Sequence, residues 1–150
     1  MTENKLSKSE FMRKNKIISL TADIFIYDDK YNFILIKRSA GEYKDYWALP
    51  GGFVEYGETV ENAAIREAKE ETNINIELKD LVNVYSNPDR DSRGHIVTVA
   101  YTAKGNFNTK KADSDAKDIG VFSQDEIKNM KIAFDHEKII NDCLNKIREK

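Results

Sequence analysis

An α/β fold with a mixed sheet follows from three features of the sequence. Runs of alternating apolar and polar residues read as strands on both sides of a central helical stretch. That stretch, Thr59–Asn73, carries its own start and stop signals. A second amphipathic helix, Asp135–Glu149, lies near the chain's end, with Ile139, Ile140, Cys143, Leu144 and Ile147 on one side.

Met1–Lys16 is polar and lysine-rich and is expected to be a partly ordered arm preceding a single domain over residues 17–150. Phe11 and Met12 offer it anchors, a second subunit included, unless it is a frayed end. Ile17–Tyr27 has period-2 character and is rich in isoleucine, so it reads as a strand. Asp28-Asp29-Lys30 turns into a second strand, Tyr31–Arg38, which predicts a hairpin of the two. Ser39–Asp45 is a polar loop, and Tyr46–Leu49 leads as an extended segment into the turn Pro50-Gly51-Gly52.

In the central helix, Thr59 is the expected N-cap, its hydroxyl accepting from an orphan backbone N–H. Val60, Ala64 and Ala68 recur every fourth residue, a narrow stripe that lets the helix lie close to a sheet. Asn73 falls where the helix should stop, and Asn tolerates the left-handed conformation better than most residues. Beyond it, Ile74–Ser86 and His95–Ala103 read as strands joined by a turn-rich loop, Asn87–Gly94. Gly105–Asp115 reads as a flexible polar loop, Ile119–Phe122 as a short strand, and Ser123 as the cap of a short helix beginning near Asp125.

Composition narrows the classes. The chain has 150 residues, 40% hydrophobic and 33% charged, which suits one globular domain with a substantial core. The formal net charge of -2 gives no global drive toward nucleic acid or anionic membrane. The single cysteine, Cys143, excludes an internal disulfide, and His95 and His136 stand too far apart in sequence to announce a zinc site. No apolar run reaches membrane-spanning length and no signal-peptide core stands at the amino terminus, so the expected home is a reducing cytoplasm.

The chemistry concentrates in Gly51–Ile74. Glu67, Glu70 and Glu71, spaced three and four apart, project from one side of the helix. Like charges at such spacings repel, and anions near a helix's carboxyl end oppose its dipole. A divalent cation reverses both penalties, and carboxylate oxygens are what Mg2+ or Mn2+ prefers. The plainer alternative is a solvated face held by ion pairs with Arg66 and Lys69.

Gly52, Glu58, Arg66-Glu67, Ala68, Glu70-Glu71, Asn73 and Ile74 together resemble the Nudix box, G-x5-E-x7-R-E-U-x-E-E-x-G-U, where U is apolar. One fixed position departs: Asn73 stands for the usual Gly, a change expected to affect stability more than chemistry. The resemblance implies a Nudix-type α/β/α sandwich that hydrolyses nucleoside diphosphates linked to another group. It implies Glu67, Glu70 and Glu71 as metal-binding carboxylates, with the Gly52 carbonyl as a further ligand. Glu70, Glu71, Arg66 and Glu58 are then the catalytic set, Arg66 orienting the others by pairing with a loop carboxylate such as Glu58. Glu55 lies in a variable slot, in the site or facing solvent.

A general base from outside the box is sought at Asp113, Asp115 and Asp118, or among the box glutamates themselves. Three further segments resemble the ADP-ribose pyrophosphatase branch: Ser86–His95 (SNPDRDSRGH), Ala112–Ala116 (ADSDA) and Ala133–Ile140 (AFDHEKII). Arg90 or Arg93 is thereby a candidate for holding a phosphate or ribose through its planar fork. Tyr56 is a candidate to stack on adenine, and Trp47 is assigned to the core. His136 is expected to cap or bond within the last helix. The favoured expectation is Mg2+-dependent hydrolysis of ADP-ribose to AMP and ribose 5-phosphate, with a nucleotide as small-molecule partner and a possible homodimer. The alternatives are a hydrolase of oxidised or noncanonical nucleoside triphosphates and a silent ADP-ribose sensor, the last expecting an appended DNA-binding segment and a broken box.

Overall fold

The computed structural model describes residues 5–112 and 116–149. Its strands are β1 (Ser19–Ile26), β2 (Phe33–Arg38), β3 (Trp47–Ala48), β4 (Gly51–Phe53), β5 (Glu77–Tyr85), β6 (Ile96–Lys104) and β7 (Ala116–Phe122). Its α-helices are α1 (Lys8–Lys14), α2 (Val60–Thr72), α3 (Gln124–Ile127) and α4 (His136–Arg148), with a 3-10 turn at Phe107–Thr109.

The strands form two sheets. The mixed one has the order β4-β1-β6-β5, with β1 parallel to β6 and antiparallel to β4; the other, β3-β2-β7, is antiparallel throughout. The expected hairpin of the first two strands is therefore corrected. Its turn exists, with Asp28 Oδ1 accepting from the N–H groups of Lys30 and Asn32. Only the Tyr27–Phe33 bridge joins the strands, which then part into different sheets.

Alternation along these strands feeds two cores rather than one core and solvent. Phe25, Phe33 and Leu35 pack with Ile139, Ile140, Cys143, Leu144 and Ile147 of α4. Ala22, Ile24, Ile26 and Ile34 pack with Ala64 and Ala68 of α2. Sheets between two helical layers give the α/β/α sandwich. Ala64 and Ala68 are fully buried, so their small size sets how close α2 lies to the sheet. Enlarging either costs about 1–3 kcal/mol by overpacking. Trp47 packs against the α4-side core, edge to face with Phe122.

The caps of α2 fall where the sequence puts them. Thr59 Oγ1 accepts from Asn62 N–H at 3.1 Å, and Asn73 ends the helix at φ 61°, ψ 22°. Ser123 caps α3 in a capping box with Glu126.

In the arm, Met12 is buried while Phe11 is half exposed, so only Met12 anchors α1. Ser9 Oγ donates to Arg93 O at 2.6 Å and Arg13 Nη1 to Ser92 O at 3.0 Å. These bonds dock α1 on the loop between β5 and β6. Among the described residues, no helix is long and apolar enough to cross a membrane.

Candidate active site

The turn after β3, the carboxyl half of α2, the β5–β6 loop and the start of α4 converge on one open cavity of about 640 Å³. Its floor is built where backbone runs close. A Cβ on Gly51 would stand 2.2 Å from Ala22 O and 2.5 Å from Asp23 Oδ1. One on Gly52 would stand 2.5 Å from the Glu67 carboxylate. Only glycine lets β4 pass this near to β1 and to α2.

The acidic wall is Glu67 and Glu71, both lining the cavity, with Glu55 at its edge. Glu71 is buried, and burial pushes the Glu67 carboxyl above the ordinary range against the pull of Arg66. Glu70, half exposed, does not line the cavity; its Oε2 accepts from Arg66 Nη1 at 3.2 Å.

Arg66 organises this side without entering the cavity. Its Nε and Nη2 donate to the two oxygens of Glu58 at 2.6 and 2.9 Å. Nη2 also donates to Phe53 O at 3.1 Å, and Nη1 to Glu67 Oε1 at 2.9 Å. Those bonds raise the already high Arg66 value further and, with the Glu55 N–H, hold Glu58 down at about 2. Arg66 therefore ties β4, the loop carboxylate and a cavity carboxylate into one unit.

The residues fit a divalent cation by chemistry. Glu67 and Glu71 offer hard oxygen donors to the cavity, Gly52 leaves no room for a side chain beside the Glu67 carboxylate, and burial disfavours the Glu67 charge, a cost that a cation offsets. Among the described residues, no three acidic, His or Cys side chains stand ready-made around one point. The expected trio is incomplete in this arrangement because Glu70 faces Arg66 and solvent.

A second group of lining residues is cationic and aromatic. Arg93 belongs to it, its guanidinium 5.4 Å from the Phe53 ring centre and 4.9 Å from that of Phe134. It pairs with buried Asp91 through Nη2 at 2.8 Å. Burial alone would raise the Asp91 value, but its bonds from Arg93 hold it below the usual range. Arg38 belongs to the same group, 4.8 Å from the Phe134 ring centre.

Arg90 is placed differently from expectation. Its side chain is 5% exposed and gives Nε and Nη2 to Asp135 at 2.8 and 2.7 Å and Nη1 to Ile96 O at 3.1 Å. It borders the cavity as a brace between the β5–β6 loop and α4, with its fork spent. Tyr56 is fully exposed, and it lies outside the cavity lining together with partly buried Glu58 and Arg66 and exposed Asp118. Asp118 is exposed on β7, its Oδ1 accepting from Ile119 N–H. Asp113 and Asp115 lie outside the described residues.

Asp23 and His136 also line the cavity. Asp23 is 7% exposed and accepts from Thr98 Oγ1 at 2.7 Å. Its signal was an acid inside an apolar run. His136 neither caps nor bonds within α4: its Nδ1 accepts from Leu49 N–H at 3.0 Å across the fold. That bond puts the ring proton on Nε2, which lies 3.6 Å from Asp23 Oδ2. Burial lowers the His136 value, so the ring is neutral and steadies the turn that leads into Gly51-Gly52.

This fold and acid-walled cavity define a Nudix pyrophosphohydrolase, and the chain belongs to the Nudix family: the NUDIX domain model matches residues 18–143. Nudix hydrolases use divalent metals. Over 143 residues the chain is 42% identical to the ADP-ribose pyrophosphatase of Methanocaldococcus jannaschii, covering 93% of this chain and 83% of that one. The NUDIX domain of Shewanella oneidensis NrtR, solved with ADP ribose, superposes at TM-score 0.77 with 28% identity, over 95% of this chain and 99% of that one. A bifunctional NMN adenylyltransferase/ADP ribose pyrophosphatase from Francisella tularensis, solved with AMP and a Mn ion, gives TM-score 0.76 and 32% identity. There the match covers 85% of this chain but 41% of the other.

Proposed function

We propose that the protein hydrolyses ADP-ribose to AMP and ribose 5-phosphate with Mg2+ as its cation. The observation that carries this reading is the cavity's mixed charge: carboxylates Glu67 and Glu71 and cations Arg93 and Arg38 line the same space. The ADP-ribose pyrophosphatase activities of the archaeal and Francisella relatives support the same substrate.

Glu67 and Glu71, with the Gly52 carbonyl, are the groups assigned to hold the metal; Glu70 joins them in the loaded state. When bound, the ion supplies charge neutralisation at the phosphate oxygens and a lowered water pKa. Arg66 keeps Glu67 in place through its bonds to Glu58 and Phe53 O. Arg93 takes a phosphate or ribose oxygen. Water adds to one phosphorus, the bridging P–O bond breaks toward the other phosphate, and a cavity carboxylate accepts the water's proton. The protein is read as a cytoplasmic homodimer, the dimer supported by exposed Leu81 and Val84 on the edge strand β5.

The test is hydrolysis with Mg2+ of a panel holding ADP-ribose, dinucleotides, sugar nucleotides and nucleoside triphosphates. AMP and ribose 5-phosphate from ADP-ribose are expected. Pyrophosphate released from triphosphates with ADP-ribose intact overturns the reading.

A further inference from the structure

The amino-terminal arm reaches the cavity through one side chain. Lys8, the first residue of α1, is among the residues lining it. Its ammonium stands 3.3 Å from the centre of the Phe53 ring, which follows Gly51-Gly52 on β4. The guanidinium of Arg93 stands at the same ring, 5.4 Å from its centre. Two cations thus stand at one aromatic ring beside a cavity that both line.

That arrangement is costly as it stands. Among the described residues Lys8 has no carboxylate partner, whereas Arg93 has Asp91. A ring face meets one side of an ammonium and accepts none of its three N–H donors in full. Burial and the neighbouring Arg93 both disfavour the charged form of Lys8. The position is nevertheless fixed from outside: Ser9 and Arg13 bond the backbone of the Arg93 loop, and Met12 is buried beneath α1. A helix pinned there brings Lys8 against Arg93 whether or not an anion is present. An anion in the cavity that both cations line offsets the repulsion and offers acceptors to the ammonium donors.

We propose that Lys8 is a substrate-binding residue that, with Arg93, clasps an anionic phosphate oxygen of the ligand, so that the arm completes the site. The ligand's identity as ADP-ribose rests on the reading above; the anion clasp does not.

The test uses the full chain as wild type, Lys8→Met and Lys8→Arg. Inorganic pyrophosphate is titrated calorimetrically at fixed Mg2+, and ADP-ribose turnover is followed in parallel. Loss of one charge-assisted contact is expected to weaken pyrophosphate about tenfold in Lys8→Met and to raise the KM for ADP-ribose similarly at near-normal kcat. Lys8→Arg is expected to stay close to wild type in both, and all three to melt together. Wild-type pyrophosphate affinity in Lys8→Met overturns the clasp, as does failure of the wild type to bind pyrophosphate. A tenfold weakening of pyrophosphate alongside a wild type inert toward ADP-ribose upholds the clasp and refutes the substrate reading instead.

Discussion

Arg66 grips Glu58 at both carboxylate oxygens, 2.6 and 2.9 Å away, and reaches Glu67 with its remaining nitrogen at 2.9 Å. A single guanidinium therefore fixes a cavity carboxylate by way of a loop it also fixes. Lysine keeps the charge but cannot make this fork. Arg66→Lys is expected to lower kcat/KM about 10–100-fold, the range for residues that orient metal ligands. Steady-state kinetics with ADP-ribose checks it; unchanged kcat/KM contradicts the orienting role.

The same pair sets an acid limit. Glu58 is held at about 2, against 4.5 for an unperturbed glutamate. Its folded value is depressed, so the stabilisation is complete above the unfolded value and disappears as pH falls through about 2. Urea melts of wild type and Glu58→Gln are expected to differ by a constant amount between pH 5 and 8. The gap closes from about pH 4.5 down to about 2. A gap that widens with acid rejects the pairing as its source.

Gly52 tests the cation site without replacing a carboxylate. The nearest atoms an added Cβ would meet are those at the movable end of Glu67, at 2.5 Å. Gly52→Ala is therefore expected to melt near wild type while losing Mg2+ affinity and turnover about tenfold or more. Glu71→Gln is expected to lose most turnover with the fold intact. Calorimetric Mg2+ titration and circular dichroism separate the two effects. Normal Mg2+ affinity in both variants removes these groups from the site.

Arg90 and Arg93, three residues apart, are expected to fail differently. Arg90→Ala strands Asp135 in a partly buried place and costs about 3 kcal/mol of stability, with KM near normal. Arg93→Lys leaves a charge beside Asp91 but loses the fork, so KM rises about tenfold with a smaller change in melting temperature. Chemical denaturation and kinetics on both variants check the split, and a raised KM in Arg90→Ala would return that residue to the ligand.

What the sequence disclosed was local. Thr59 and Asn73 cap α2 because cap chemistry depends on a few adjacent residues. The reading of Glu67 rested on spacing along that one helix, and that of Arg66 on the resemblance to the Nudix box. What it concealed was non-local. Period-2 alternation in β1 and β2 announces strands but not partners, and here both faces are buried, so nothing marked the parting into two sheets. Arg90 and Arg93 look alike in a loop; only the fold gives one Asp135 and the other an open wall. Lys8 was one lysine in a polar arm until Met12 and Ser9 placed it over Phe53.

The most direct test of the whole account is calorimetric titration of Mg2+ into wild type and Glu67→Gln, with and without ADP-ribose. The account predicts a cation bound by the wild type, tightened by nucleotide, and largely lost on substitution. A wild type that binds no cation in either condition contradicts it.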